Sequence, residues 1–194
     1  MPTLISGSTG VDKVQDDSVD IADLSATGTA SSSTFLRGDN AWASAGENMT
    51  PAFQARQSAD QNSLSDSAVT KVSFNVQDFS TGGTYDTTNY RWTPGVAGKY
   101  YIGFRVRMNA GDSVANQMFG WIYLNGSVVE QSQAYIENAN NYGSAMTTLA
   151  SKIFTLDADD YVECFAKYNT SDSSAWSIPA DTGVFFGYRI SNAG

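Results

Sequence analysis

The side chains that most often carry chemistry are scarce in this chain. Its 194 residues include no histidine, which removes the usual general base, the commonest metal ligand and both the Ser/His/Asp and Cys/His catalytic pairings. The single cysteine, Cys164, sits in the apolar run Tyr161-Val162-Glu163-Cys164-Phe165, which predicts a buried, inert thiol and excludes a disulfide framework within the chain. Carboxylates remain. Asp157, Asp159 and Asp160, with Asp86 and Asp181 elsewhere, are oxygen donors of the kind calcium takes from flexible loops, yet no EF-hand-type spacing orders them. Two carboxylates flanking a glycosidic bond would make a polysaccharide-degrading enzyme, but nothing in the sequence sets that geometry. Solvated loop acids account for the same residues. The expectation is no catalytic residue and no cofactor, with loop-bound calcium left open.

Binding suits the composition better than catalysis. The segments Asn109–Gln117, Glu137–Ala145 and Asn169–Thr182 read as loops of Asn, Ser, Gly and Asp, in which Tyr142 and Trp176 are candidate aromatic platforms for a host-surface glycan. A plain polar surface is the simpler account of the same loops. Arg37-Gly38-Asp39 matches a cell-adhesion tripeptide, but so short a motif is common by chance. It reads as a turn, in which Arg37 can pair with Asp39 or another acid. A net charge of -9 and a pI near 4.2 argue against nucleic acid as partner, because phosphate binding draws on clustered Lys and Arg. No stretch approaches the ~20 apolar residues of a membrane helix, and the N-terminus lacks the basic start and apolar run of a secretory signal. The chain is therefore expected to be soluble and unprocessed, with no membrane partner.

The elements that must hold any site fall into two parts. Residues 1–48 are rich in Ser, Thr, Ala, Gly and Asp, with scattered hydrophobes (Val11, Val14, Val19, Ile21, Leu24) that keep no period. Such a segment cannot build a core of its own and is expected to be ordered by what it touches. Residues 49–194 change to β-branched and aromatic runs punctuated by Gly, Asn, Asp and Pro, the pattern of an antiparallel sandwich or barrel. Strands are expected near Ala52–Ala55, Val69–Val76, Tyr90–Thr93, Tyr100–Met108, Met118–Leu124, Val128–Ile136, Met146–Leu156, Tyr161–Tyr168 and Val184–Ile190, with no helices. In the fourth of these, Tyr100, Ile102, Phe104, Val106 and Met108 share one face and Arg105 and Arg107 the other. Phe119-Gly120-Trp121-Ile122-Tyr123-Leu124 is apolar on both faces, so it is expected to be covered on both. Asn125-Gly126 then predicts a type I′ hairpin returning the chain along Val128–Ile136.

This order of signals resembles the jelly roll shared by the complement component 1q and tumour necrosis factor families, over roughly residues 49–190. The resemblance rests on the stretch from Trp92-Thr93-Pro94-Gly95 to Gly98-Lys99-Tyr100-Tyr101-Ile102-Gly103-Phe104, on Leu124-Asn125-Gly126-Ser127-Val128, on Leu149–Leu156 followed by Asp159-Asp160-Tyr161-Val162, and on the terminal Val184-Phe185-Phe186-Gly187-Tyr188-Arg189-Ile190. It departs from the family pattern in a longer Pro94-to-Gly98 spacing and in Asp159 where glycine is more usual. The implied fold is all-β, an antiparallel two-sheet jelly-roll sandwich with an extended N-terminal arm. The families assemble as compact trimers with aromatic-rich faces at the threefold axis, and the resemblance implies a homotrimer. Phe119, Trp121, Tyr123, Phe185, Phe186 and Tyr188 are the residues available for that contact, each of them equally well read as ordinary core. Calcium near the trimer apex is a minor option taken from the same families.

The arm carries a second resemblance. Ser33-Thr34-Phe35-Leu36-Arg37-Gly38-Asp39 followed by Trp42 is similar to a segment recurring in tail fibres and other appendages of tailed bacteriophages. It implies a non-catalytic virion structural protein on the outer surface of the particle, as capsid decoration or as a fibre or appendage tip. Residues 1–48 would attach to other virion proteins through Phe35, Leu36 and Trp42, and residues 49–194 would form the trimerising head.

Overall fold

A computed structural model describes residues 26–32, 34–44, 49–137 and 143–192. The chain divides into two units, Met1–Glu47 and Asn48–Gly194. In the first, β1 (Thr34–Leu36) and β2 (Trp42–Ser44) form a two-stranded hairpin. Its turn is Arg37-Gly38-Asp39-Asn40, closed by the Arg37 N–H donating to the Ala41 carbonyl at 2.9 Å and by an Arg37–Asp39 ion pair at 3.0 Å. The tripeptide is thus a turn with its own charges joined. Val11, Val14, Val19, Ile21 and Leu24 lie outside the described residues.

The second unit is an antiparallel two-sheet jelly roll. Its strands are β3 (Ala52–Arg56), β4 (Gln61–Leu64), β5 (Thr70–Lys71), β6 (Val76–Thr81), β7 (Thr84–Asp86), β8 (Arg91–Thr93), β9 (Gly98–Asn109), β10 (Ala115–Leu124), β11 (Ser127–Val128), β12 (Ala134–Glu137), β13 (Ala145–Leu156), β14 (Val162–Thr170), β15 (Trp176–Ile178) and β16 (Val184–Asn192). One sheet runs β11-β10-β14-β8-β7, with β12 also paired to β10 and β5 to β14. The other runs β4-β15-β9-β16-β3-β6, with β13 also paired to β9. Among the described residues there is no α-helix, and no helix long and apolar enough to cross a membrane.

Strand periodicity decides what goes inside. Tyr100, Ile102, Phe104, Val106 and Met108 alternate into the core from β9, and Val162, Cys164, Ala166 and Tyr168 do so from β14. The layers meet at an aromatic cluster: Phe53 of β3 stacks on Trp92 of β8 with centroids 4.5 Å apart, and Phe185 of β16 meets Phe53 edge-on at 4.7 Å. Gly187 makes this approach possible, since a Cβ there would lie 2.4 Å from Ile102 and 2.8 Å from Phe53. The neighbour that the glycine admits is the subunit's own core. Asn125 and Gly126 have φ of 50° and 78°, and they turn β10 onto β11 with Tyr123 opposite Val128 and Leu124 opposite Ser127. That is the hairpin expected from the Asn-Gly pair.

Two expected strands are interrupted. The Val128–Ile136 run splits around a single 3-10 turn, Glu130–Ser132. There the buried Ser132 hydroxyl accepts the Ile122 N–H at 2.8 Å, so a side chain satisfies a backbone group that a continuous strand would pair. The Val69–Val76 run forms ladder pairs with β14 at Thr70 and Lys71, and its last backbone bond to that strand is the Val72 N–H donating to the Cys164 carbonyl at 2.9 Å. Beyond it, the Gln61 carboxamide accepts the Ser73 N–H at 3.2 Å and donates to the Lys71 carbonyl at 2.8 Å, while Val72 and Phe74 stay buried. In both places the hydrophobic alternation survives and the ladder does not.

The parity of β16 makes neighbours unequal. Phe185→Ala removes a ring from the sealed core and should lower stability by about 3–5 kcal/mol, whereas Phe186→Ala, on the outside, should cost under about 1 kcal/mol; urea denaturation of both variants measures the difference. Cys164 faces inward beside Val162 and Ala166, and burial first, then the Glu163 carboxylate, pushes its thiol well above the ordinary range. A thiol-specific disulfide reagent at neutral pH should leave it unlabelled in buffer and label one thiol per chain in denaturant.

Candidate functional site

With apolar residues alternating inward, the outward positions of each sheet become the surfaces available for function. On the β10–β14 sheet they form rungs across the strands. Glu137 and Asn169 flank Gln117; Tyr135 and Lys167 flank Phe119; Trp121 sits beside Phe165, which sits beside Lys71; Tyr123 sits beside Glu163, which sits beside Arg91. Phe119 and Trp121 are parallel within 2° at 5.2 Å, Tyr135 leans on Phe119 at 4.7 Å, and Tyr123 stacks on Phe165 at 3.9 Å. Three cations lie on this wall: Lys167 over Phe119 at 5.2 Å, Lys71 over Phe165 at 5.9 Å and Arg91 over Tyr161 at 4.6 Å. Lys71 also pairs with the buried Glu163 carboxylate, and Arg91 with Asp86 at 3.6 Å. Lys167 has no ion-pair partner among the described residues. Trp121 is only 8% exposed, and its indole N–H finds no acceptor among the described residues.

The outer face of the β9–β16 sheet is different. Ile153, Tyr101, Tyr188 and Ala52 make one rung; Ser151, Gly103, Phe186, Gln54 and Phe79 the next; Leu149, Arg105, Val184, Arg56 and Val76 the third. Phe186 lies over Gly103, where a Cβ would come within 2.9 Å of its ring, and Tyr101 touches both Phe186 and Tyr188. Leu149 is 58% exposed, Ile153 56% and Phe79 46%. Arg56 is held by Asp78 and Asp181, each at 3.0 Å.

The six aromatics expected at a trimer contact therefore occupy three environments. Phe119, Trp121 and Tyr123 line the outside of one sheet, and Phe186 and Tyr188 the outside of the other. Phe185 is a core residue, turned inward by the two-residue period of β16 and enclosed by Phe53, Phe74 and Tyr85. It offers nothing to a neighbouring subunit. Trp176 also differs from expectation. It begins a strand inside the segment read as the loop Asn169–Thr182, is fully buried, and donates its indole N–H to the Ser65 carbonyl at 2.9 Å. A sugar cannot reach it. The cue was the alternation in Trp176-Ser177-Ile178, which puts Trp176 and Ile178 on one side. Tyr142 lies outside the described residues. In the hairpin unit, Phe35 and Leu36 are exposed and Trp42 is half-buried.

Three of the acidic residues, Asp160, Asp86 and Asp181, are occupied locally. Asp160 accepts from the Asp157 N–H and from Asn125, both at 2.7 Å. Asp86 accepts from the Thr88 and Asn89 N–H groups, and the Asn89 contacts first hold its carboxyl below the usual range. No group of three or more metal-ligating side chains is gathered among the described residues.

No protein-family model and no curated protein matches the chain. Among solved structures, the globular domain of zebrafish complement 1qA protein is similar, with a TM-score of 0.51 at 15% sequence identity, covering 74% of this chain and 99% of that one. At that identity the likeness speaks for the fold, and the fold is that of a complement 1q-like jelly roll.

Proposed function

We propose that this chain is a non-catalytic structural protein of a tailed-bacteriophage particle, displayed on its outer surface as a trimer of jelly-roll heads. The observation that carries the oligomer is the outer face of the β9–β16 sheet, where Leu149, Ile153 and Phe79 stand exposed around Tyr101, Phe186 and Tyr188. A contiguous apolar patch of this kind is what soluble monomers rarely leave open. Copies of the same face meeting around a threefold axis would bury it, and closed symmetry would stop growth at a small assembly. The placement on a phage particle draws on the Phe35-Leu36-Arg37-Gly38-Asp39 stretch before Trp42. Its hairpin exposes Phe35 and Leu36 on opposite faces, an arrangement suited to insertion between neighbouring virion chains. Three heads on one stem would multiply a weak contact with a target by avidity.

Sedimentation equilibrium should give three times the 20.8 kDa of one chain. Leu149→Asp combined with Ile153→Asp should shift it to monomer with the far-UV spectrum kept, because both side chains are exposed in the subunit. A wild-type monomer at micromolar concentration would remove the trimer. Antibodies raised against residues 49–194 should decorate intact particles in electron micrographs, and a failure to label them would remove the surface location.

A further inference from the structure

We propose that the wall formed by Tyr135, Phe119 and Lys167, with the polar rung of Glu137, Gln117 and Asn169 beside it, binds a pyranose unit of a neutral glycan. The site lies on the β10–β14 sheet, away from the face assigned to subunit contact, and does not rest on that assignment.

The ring of a sugar asks for two things at once: an apolar surface for its C–H face, and a rim that both donates to and accepts from its hydroxyls. Tyr135 supplies the first. It is 45% exposed, and its ring is held in place by Phe119, which is itself backed by Trp121. The rim supplies the second. Gln117 donates from Nε2 to the Tyr135 hydroxyl at 3.2 Å, which fixes the amide at the edge of the ring. Glu137, across the strand from Gln117, brings an exposed carboxylate acceptor beside Tyr135, whose phenol is raised by desolvation first and then by its hydrogen bond to Glu137. Lys167, in the same rung as Phe119, brings an ammonium donor that no carboxylate holds among the described residues.

The charges select the ligand class. One cation and one carboxylate around an aromatic surface leave no net charge, which matches a hydroxyl-dense neutral ligand. A polyanion would meet Glu137 and a chain of net charge -9, and the other two cations on the face are already committed to Glu163 and Asp86. The enclosed indole N–H of Trp121 lies behind Phe119 and lacks an acceptor among the described residues, so its resonance is a sensitive reporter for this wall.

The test uses the full chain, labelled with nitrogen-15 and titrated into the tens of millimolar range with the methyl glycosides of glucose, galactose, mannose and N-acetylglucosamine. The chain has four tryptophans, and the Trp121 indole signal should shift saturably with at least one glycoside. Tyr135→Ala and Glu137→Ala should each weaken that binding ~tenfold or more, the equivalent of one good contact. Val96→Ala, at an exposed position off this face, should leave it unchanged. The proposal is overturned if none of the glycosides moves the signal, or if the shift survives both Tyr135→Ala and Glu137→Ala in chains whose spectra remain dispersed. Sedimentation of the same variants should give the wild-type mass, so loss of sugar binding and loss of assembly are separately visible.

Discussion

The stack of Phe53 on Trp92, with Phe185 set edge-on against it, is the contact on which the head depends. It ties β3 and β16 of one sheet to β8 of the other at the centre of the layer between them. An aromatic pair of this geometry contributes about 0.5–1.5 kcal/mol beyond the area it buries. Its larger effect is on parity: once Phe53, Phe185 and Trp92 are fixed inward, every outward residue on their strands is fixed as well. Phe186 and Tyr188 can only point away from the core, and so can Phe119, Trp121 and Tyr123 on β10 once Met118 and Ile122 are inside.

The two outer faces that result are chemically unlike. Aliphatic side chains on β13 and a phenylalanine on β6 stand unpaired on one, over a middle row thinned by Gly103. The other is an aromatic wall whose rings are bridged by cations, two of which are neutralised by carboxylates. The first is a surface that gains by exclusion of water over a flat area. The second is already partly satisfied, and its uncharged polar side chains are gathered at one end, around Gln117 and Glu137. The two faces thereby carry the two proposals separately, subunit contact on one sheet and sugar binding on the other.

Much of this was legible in the residues, and the limits follow from physics. Period-two alternation in β9 gave its core face directly, and Asn125-Gly126 gave the hairpin, because positive φ leaves few alternatives. The short strands β4, β6, β7 and β15 were missed. Gln61-Asn62-Ser63-Leu64 and Thr84-Tyr85-Asp86 hold too few apolar residues to show a period, and their pairing is set by partners distant in the chain. The breaks at Ser132 and Ser73 were invisible for another reason: a serine hydroxyl or a glutamine carboxamide standing in for a ladder bond leaves the hydrophobic pattern intact. The aromatic set expected at one contact was split for a third. Alternation tells which residues share a side of a strand, and it is silent on which of two sheets that strand joins.

The position of β16 has a consequence for how the head is made. It lies between β9 and β3, hydrogen-bonded to both, although β3 precedes it by most of the unit. During synthesis the earlier strands must wait with two adjacent edges open, in a topology dominated by distant pairings that close slowly. A chain broken off before residue 184 would present those raw edges to its surroundings and to quality control. Only chains that extend through this segment can seal the sandwich.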